Sequence, residues 1–64
     1  MRKIKEYKIN NCKITVQINS YLNTELKVRK GSNIKIITMC YVKPEDLIKS
    51  LDMIFDKEGD LNGN

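Results

Sequence analysis

The residue types that usually carry catalysis are scarce in this chain of 64 residues. It contains no histidine, and its cysteines are Cys12 and Cys40. A nucleophilic serine or cysteine normally needs a base such as histidine beside it, which this composition cannot supply. Glycines at positions 31, 59 and 63 are too scattered for a phosphate-binding loop. We therefore expect a protein that is not an enzyme and uses no cofactor and no small-molecule substrate.

The two cysteines predict neither a metal site nor a redox site. They are too far apart for the CxxC spacing of zinc-binding and redox motifs. Cys12 alternates with Ile14 and Val16, as a small core residue of a strand does. We interpret Cys12 and Cys40 as unreactive core thiols.

A short acidic segment resembles the start of an EF-hand calcium loop. Residues 56–60 place oxygen-bearing side chains at the first, third and fifth loop positions. Leu61 stands where such a loop requires glycine, and no glutamate follows at the twelfth position. Without these two residues the site cannot close, so we expect no bound metal.

Basic and acidic side chains are unevenly distributed along the chain. Residues 1–43 hold ten basic and two acidic residues, whereas residues 44–64 hold two lysines and six acidic residues. Such asymmetry is found in proteins with a basic surface for nucleic acid or another anionic partner. Ten of the twelve basic residues are lysine, and arginine reads phosphates and bases better. A solubilising role for the lysines is therefore favoured over nucleic-acid binding.

The elements that must position these residues begin with a predicted hairpin. Residues 12–19 alternate strictly between apolar and polar side chains, which predicts a half-buried strand. Residues 3–9 predict a second strand, and Asn10-Asn11 between them suits a two-residue turn. Such a loop places two apolar pairs opposite each other, Ile9 with Cys12 and Tyr7 with Ile14.

A second hairpin is predicted over residues 26–42. Matching apolar to apolar residues favours a three-residue loop over Gly31–Asn33, with Val28 opposite Ile36 and Asn33 in the left-handed region. The strand starting at Ile34 is apolar on both sides, which is typical of a central strand or of one covered by a partner. The preceding segment, residues 20–25, either buries two large apolar side chains, Tyr21 and Leu22, or begins the third strand early.

The C-terminal part predicts an amphipathic helix starting at Pro44. Proline and acidic residues suit a first helical turn, and Gly59 suits its end. Its acidic residues are expected on the exposed side, opposite an apolar stripe of Leu47, Ile48, Leu51, Ile54 and Phe55. The predicted fold is α+β, a four-stranded antiparallel sheet with one helix on one face, in the order ββββα. We expect one domain over residues 1–59 and a disordered tail over residues 60–64. The sequence does not determine the order of the strands in the sheet.

The apolar residues outnumber what one helix can cover, which favours protein–protein contact. Small domains often satisfy such an excess by pairing with a second copy or with another protein. The predicted partner-binding residues are Ile37, Met39 and Tyr41, with a charged surround of Lys13, Lys27, Arg29 and Lys35.

Location and role follow from these features. The sequence has no apolar run long enough to span a membrane and a charged N-terminal stretch unlike a signal peptide, so we expect a cytoplasmic protein. The leading interpretation is a small regulator or inhibitor, of the kind carried by bacterial or phage mobile elements, that acts by binding a protein or itself. The alternative is a nucleic-acid-binding module that uses the lysine-rich sheet face, with Lys13, Lys27, Arg29 and Lys35 as the predicted nucleic-acid-binding residues.

Overall fold

A computed structural model of the chain describes residues 2–55. Four antiparallel strands precede one helix: β1 (Arg2–Ile9), β2 (Cys12–Ile18), β3 (Thr24–Lys30), β4 (Asn33–Met39) and α1 (Pro44–Phe55). The strands lie side by side in the order β1-β2-β3-β4, so each is a sequence neighbour of the next. The predicted ββββα architecture is confirmed. The predicted end of the helix at Gly59 and the predicted tail lie outside the described residues.

The first hairpin has the predicted register. Ile9 lies opposite Cys12, and Tyr7 lies opposite Ile14. Asn10 opens the turn with a φ of 55°, a conformation that asparagine tolerates better than most residues. Near its start β1 is interrupted by a bulge between Lys3 and Lys5.

The second hairpin differs from the prediction. Its loop has two residues, because Lys30 lies opposite Asn33 and Val28 lies opposite Lys35. Gly31 adopts a φ of 63°, whereas Ser32 does not have a positive φ. A positive φ at the first loop residue alone is the pattern of a type II′ turn, which favours glycine there. The predicted left-handed Asn33 is therefore wrong, since this residue begins β4.

The register defines two faces of the sheet. The helix face holds the cross-strand row Tyr7, Ile14, Val28 and Lys35, and the open face holds the row Glu6, Thr15, Lys27 and Ile36. Helix α1 packs on the helix face, where the Tyr7 and Phe55 rings are 5.6 Å apart between centroids. Among the strands β2 makes the most contacts with α1.

The core lies under α1 and is small. Within residues 2–55 the buried hydrophobic residues are Tyr7 and Val16, and Val16 is fully buried at 0% exposure. In the predicted apolar stripe of the helix, Ile54 departs from expectation because it is 58% exposed. In this part of the chain no helix reaches the length and apolar character needed to cross a bilayer.

The connection between the hairpins is a compact turn built on Asn19. Its side-chain Oδ1 accepts hydrogen bonds from the backbone N–H groups of Tyr21 and Asn23 at 2.9 and 3.0 Å. Tyr21 and Leu22 are both exposed, so the segment buries neither side chain. The third strand instead begins early, at Thr24.

Candidate docking surfaces

Strand β4 has one side of its backbone paired. β3 lies along its inner side over seven residue pairs in unbroken register, and within the described residues no strand lies along its outer side. Six of its seven residues are exposed, and the seventh, Met39, is half-buried. We call this outer side the β4 edge. Of the two alternatives that the sequence left open for this strand, a central strand or one covered by a partner, the central one is excluded within residues 2–55.

Hairpin geometry determines which backbone groups point outward from the β4 edge. The residues that flank a two-residue loop exchange hydrogen bonds, and such hydrogen-bonded pairs recur at every second position. Asn33, opposite Lys30, therefore points its backbone groups toward β3. The intervening residues Ile34, Ile36 and Thr38 present their N–H and C=O groups to the outside.

The opposite edge of the sheet, at β1, is protected against strand pairing. It carries Lys3, Lys5 and Lys8 and the bulge between the first two of them. Lysines and bulges are the usual devices that prevent edge strands from pairing with other chains. β4 has a single charged residue, Lys35, and neither proline nor a bulge. The two edges therefore differ in their capacity to accept another strand.

Large aliphatic side chains emerge from both faces of β4. Ile34 and Ile36 on the open face are 55% and 49% exposed, and Ile37 on the helix face is 44% exposed. Adjacent isoleucines at positions 36 and 37 point to opposite faces because side chains alternate along a strand. Within residues 2–55 a helix covers one face of the sheet only, so both isoleucines remain partly exposed in the single chain.

The predicted partner-binding residues are partly brought together. Ile37 and Met39 lie on the helix face of β4, opposite Leu26 and Thr24. Tyr41 lies beyond the strand in the following turn and is 100% exposed. This turn is joined to the sheet by the Thr24 hydroxyl, which donates to the carbonyl of Val42 at 2.6 Å. Ile37 and Met39 therefore share one face near the end of β4, whereas Tyr41 lies outside the strand.

The predicted basic residues are divided between the two faces. Lys13 lies opposite Arg29, and Lys27 occupies the next position but one along β3, so all three share the open face. They line a shallow depression together with Lys3, Glu6, Thr15 and Gln17. Lys35 is on the helix face, opposite Val28, because the loop is one residue shorter than predicted. Its assignment to the same basic patch is wrong.

Two carboxylates on the open face are held by neighbouring side chains. The Lys3 ammonium, 2.8 Å from Glu6 Oε1, holds the pKa of Glu6 below its ordinary value. Glu25 accepts hydrogen bonds from the side-chain amides of Gln17 at 2.8 Å and Asn19 at 2.7 Å, which lower its pKa in that order of importance. Both groups therefore remain ionised near neutral pH.

Within the described part of the chain, the remaining cations of the depression form weaker ion pairs or none. Arg29 donates from Nε to the carbonyl of Gly31 at 3.3 Å, and within residues 2–55 neither Arg29 nor Lys27 forms an ion pair. Lys13 is 3.6 Å from Glu6 Oε2, a longer ion pair than that of Lys3. Positive charge is thus available at the β3 side of the depression.

Sequence reasoning missed Asp52, which it placed on an exposed and unperturbed side of the helix. Asp52 Oδ1 lies 2.9 Å from Lys5 Nζ and accepts a hydrogen bond from the Tyr7 hydroxyl at 2.7 Å. These contacts, with Lys5 the larger influence, lower the pKa of Asp52. The signal was available, since Asp52 lies three residues before Phe55 and side chains at that spacing share a helix side.

The cysteines contribute no joint site. Both are free thiols; Cys12 is half-buried in β2 and Cys40 is exposed in the turn after β4. The interpretation of Cys40 as a core residue is wrong, because β4 ends before it and Cys40 is exposed in the following turn.

Comparison of the chain with models of protein families, with curated proteins and with solved structures gives no match in any of the three searches.

Proposed function

We propose that this chain is a non-catalytic binding protein that docks another polypeptide against the β4 edge. The observation that carries the proposal is the contrast between the edges: β1 is bulged and lysine-rich, whereas β4 is regular and nearly uncharged. In strand addition, backbone hydrogen bonds supply affinity and alternating side chains supply specificity. A cytoplasmic regulator or inhibitor that occupies a surface of its target would act in this way.

Side chains around the β4 edge supply the apolar contacts of the proposed interface. Ile34 and Ile36 offer aliphatic surface on one face, and Ile37 and Met39 offer it on the other. Tyr41 extends the surface past the end of the strand, and exposed aromatic residues are common anchors of protein interfaces. A docked strand would therefore contact apolar side chains on both of its faces.

A photo-reactive amino acid at position 36 tests this proposal in cells that naturally contain the chain. We expect ultraviolet light to link position 36 to a protein, and Met39→Lys or Tyr41→Ala to weaken the link. The same probe at position 8 of β1 is the matched control and should give no product. Equal linking from both positions, or none from position 36, would contradict docking at the β4 edge.

The open face supports a second candidate function, binding of a nucleic-acid backbone. The supporting observation is that Lys13, Lys27 and Arg29 line one depression while Lys27 and Arg29 have no ion-pair partner within residues 2–55. Phosphate contacts release counterions, so the affinity should fall steeply as salt is raised.

Titration of single-stranded and duplex nucleic acid at several salt concentrations tests the second candidate. Replacing Lys13, Lys27 and Arg29 together by glutamate should abolish binding. Lys35→Glu, on the opposite face, is the matched control and should change it little. Binding that survives the triple replacement, or that is insensitive to salt, would exclude this use of the open face.

A further inference from the structure

We infer that the β4 edge is occupied by the β4 edge of a second copy of this chain, in an antiparallel pair centred on Ile36. This inference rests on the proposed function, since it names the docked polypeptide. A two-fold axis through Ile36, perpendicular to the sheet, joins the two four-stranded sheets into one continuous sheet. Both helices then lie on the same face, and both open faces lie on the other.

The outward-facing backbone groups favour this centre. With Ile36 opposite itself, Ile34 of each copy lies opposite Thr38 of the other. These are the three β4 residues whose N–H and C=O groups point outward, and each such pair in an antiparallel ladder exchanges two hydrogen bonds. Every outward-facing group of the two strands is therefore paired.

Neighbouring registers are less favourable. Moving the centre to Lys35 places the two Lys35 side chains directly opposite each other, and like charges in that arrangement are destabilising. Moving it to Ile37 places Ile34 opposite Cys40, which lies beyond the end of the strand at Met39. The centre at Ile36 avoids both penalties and places Lys35 opposite Ile37 of the other copy.

The side chains also fit a second copy. The two Ile36 side chains meet on the open face, where each is 49% exposed in the single chain. On the helix face each Ile37 side chain lies directly opposite Lys35 of the other copy, whose aliphatic stem can cover it, and the two Ile37 side chains are diagonal neighbours. Closed two-fold dimers are the commonest oligomers, and their interfaces must be self-complementary in this way.

Disulfide trapping tests the register in a background of Cys12→Ala and Cys40→Ser. Ile36→Cys should form a disulfide-linked dimer under mild oxidation, because the paired Cα atoms are within disulfide range. Ile34→Cys alone should not, because the two copies of that residue are about 13 Å apart along the strands. A mixture of Ile34→Cys and Thr38→Cys should give the linked heterodimer. Equal linking of Ile34→Cys and Ile36→Cys alone would overturn the register.

Sedimentation equilibrium of the purified full chain tests the dimer itself. We expect a reversible dimer that Ile36→Lys converts to a monomer by opposing two ammonium groups, while Ile36→Val retains it. Circular dichroism verifies that the Ile36→Lys variant remains folded. If this variant unfolds, the disulfide-trapping experiment decides whether the dimer forms. A parent protein that stays monomeric up to millimolar concentration would overturn the second copy as occupant. Photo-crosslinks from position 36 to a different protein would then still support the proposed function. The absence of such crosslinks would contradict both the dimer and docking at the β4 edge.

Discussion

Asp52 is the side chain that joins the helix to the first strand by polar contacts. Its Oδ1 lies 2.9 Å from Lys5 Nζ and 2.7 Å from the Tyr7 hydroxyl. The Lys5 ammonium also lies 5.2 Å from the centre of the Tyr7 ring, within the range of a cation–π contact. One carboxylate thus orients a lysine and an aromatic residue beneath α1.

The pKa of Asp52 predicts how stability responds to acid. The folded protein holds this pKa below its ordinary value of 3.8, through Lys5 first and Tyr7 second. A depressed pKa contributes stability that is complete above the unfolded value and is lost as the pH falls through the folded value. We expect Asp52→Asn to lower the Tm near neutral pH and to make the Tm decline less on acidification. Thermal melts of both proteins between pH 7 and pH 2 measure this, and parallel pH profiles would contradict it.

Val16 is the residue on which the small core depends most. It is fully buried, and truncation to alanine removes apolar contacts and leaves a cavity at a cost of about 2 kcal/mol. A core of this size rarely supplies more than about 3–5 kcal/mol of stability. Urea unfolding of Val16→Ala should therefore show a large fall in midpoint. Val42→Ala, the same change at a position that is 40% exposed, should have little effect, and equal losses would contradict the assigned core.

At the scale of elements, the two hairpins show what the sequence could and could not predict. In the first, strict alternation in β2 permits one register, and the structure confirms it. In the second, β4 has apolar residues at adjacent positions, and matching apolar to apolar residues predicted the wrong loop length, three residues instead of two. The backbone preference of Gly31 at the first loop position decides it. This one-residue difference moves Lys35 to the helix face.

The Gly31 turn gives a prediction at the element scale. Gly31 has a φ of 63°, and a Cβ added there meets nothing within 4 Å, so the penalty is that of the backbone alone. We expect Gly31→Ala to destabilise the protein by about 1–2 kcal/mol. Ser32→Ala, at the other exposed loop position, is the control and should be close to neutral. Urea midpoints compare the two variants, and similar midpoints would show that the turn does not require glycine.

The candidate interface was predictable in part. Apolar side chains on both faces of β4 are more than one helix can cover, and this excess identified Ile37 and Met39 as candidate partner-binding residues. The structure places both residues in a strand whose outer side has no neighbouring strand within residues 2–55. The position of β4 at the edge of the sheet was not predictable, because a strand with apolar side chains on both of its faces is more often central. Asp52 was missed because a charged residue beside an apolar stripe was interpreted as solvent-facing.

The whole molecule combines a small core with extensive exposed apolar surface. Two hydrophobic residues are buried within the described part of the chain, whereas exposed large hydrophobic residues occur in the Asn19 turn, β4, the following turn and α1. Apolar surface of this kind commonly marks interaction sites. Pairing at the β4 edge would cover the exposed apolar side chains of β4, which lie beside the outward-facing N–H and C=O groups of the same strand.

Amide hydrogen exchange tests the central claim, that the β4 edge pairs with a second copy, most directly. The N–H groups of Ile34, Ile36 and Thr38 point outward, whereas those of Lys35 and Ile37 point toward β3 and serve as internal controls. We expect the outward amides to be protected at millimolar protein concentration and to lose that protection on dilution, while the controls remain protected. Rapid exchange of the outward amides at every concentration, beside protected controls, would contradict the claim.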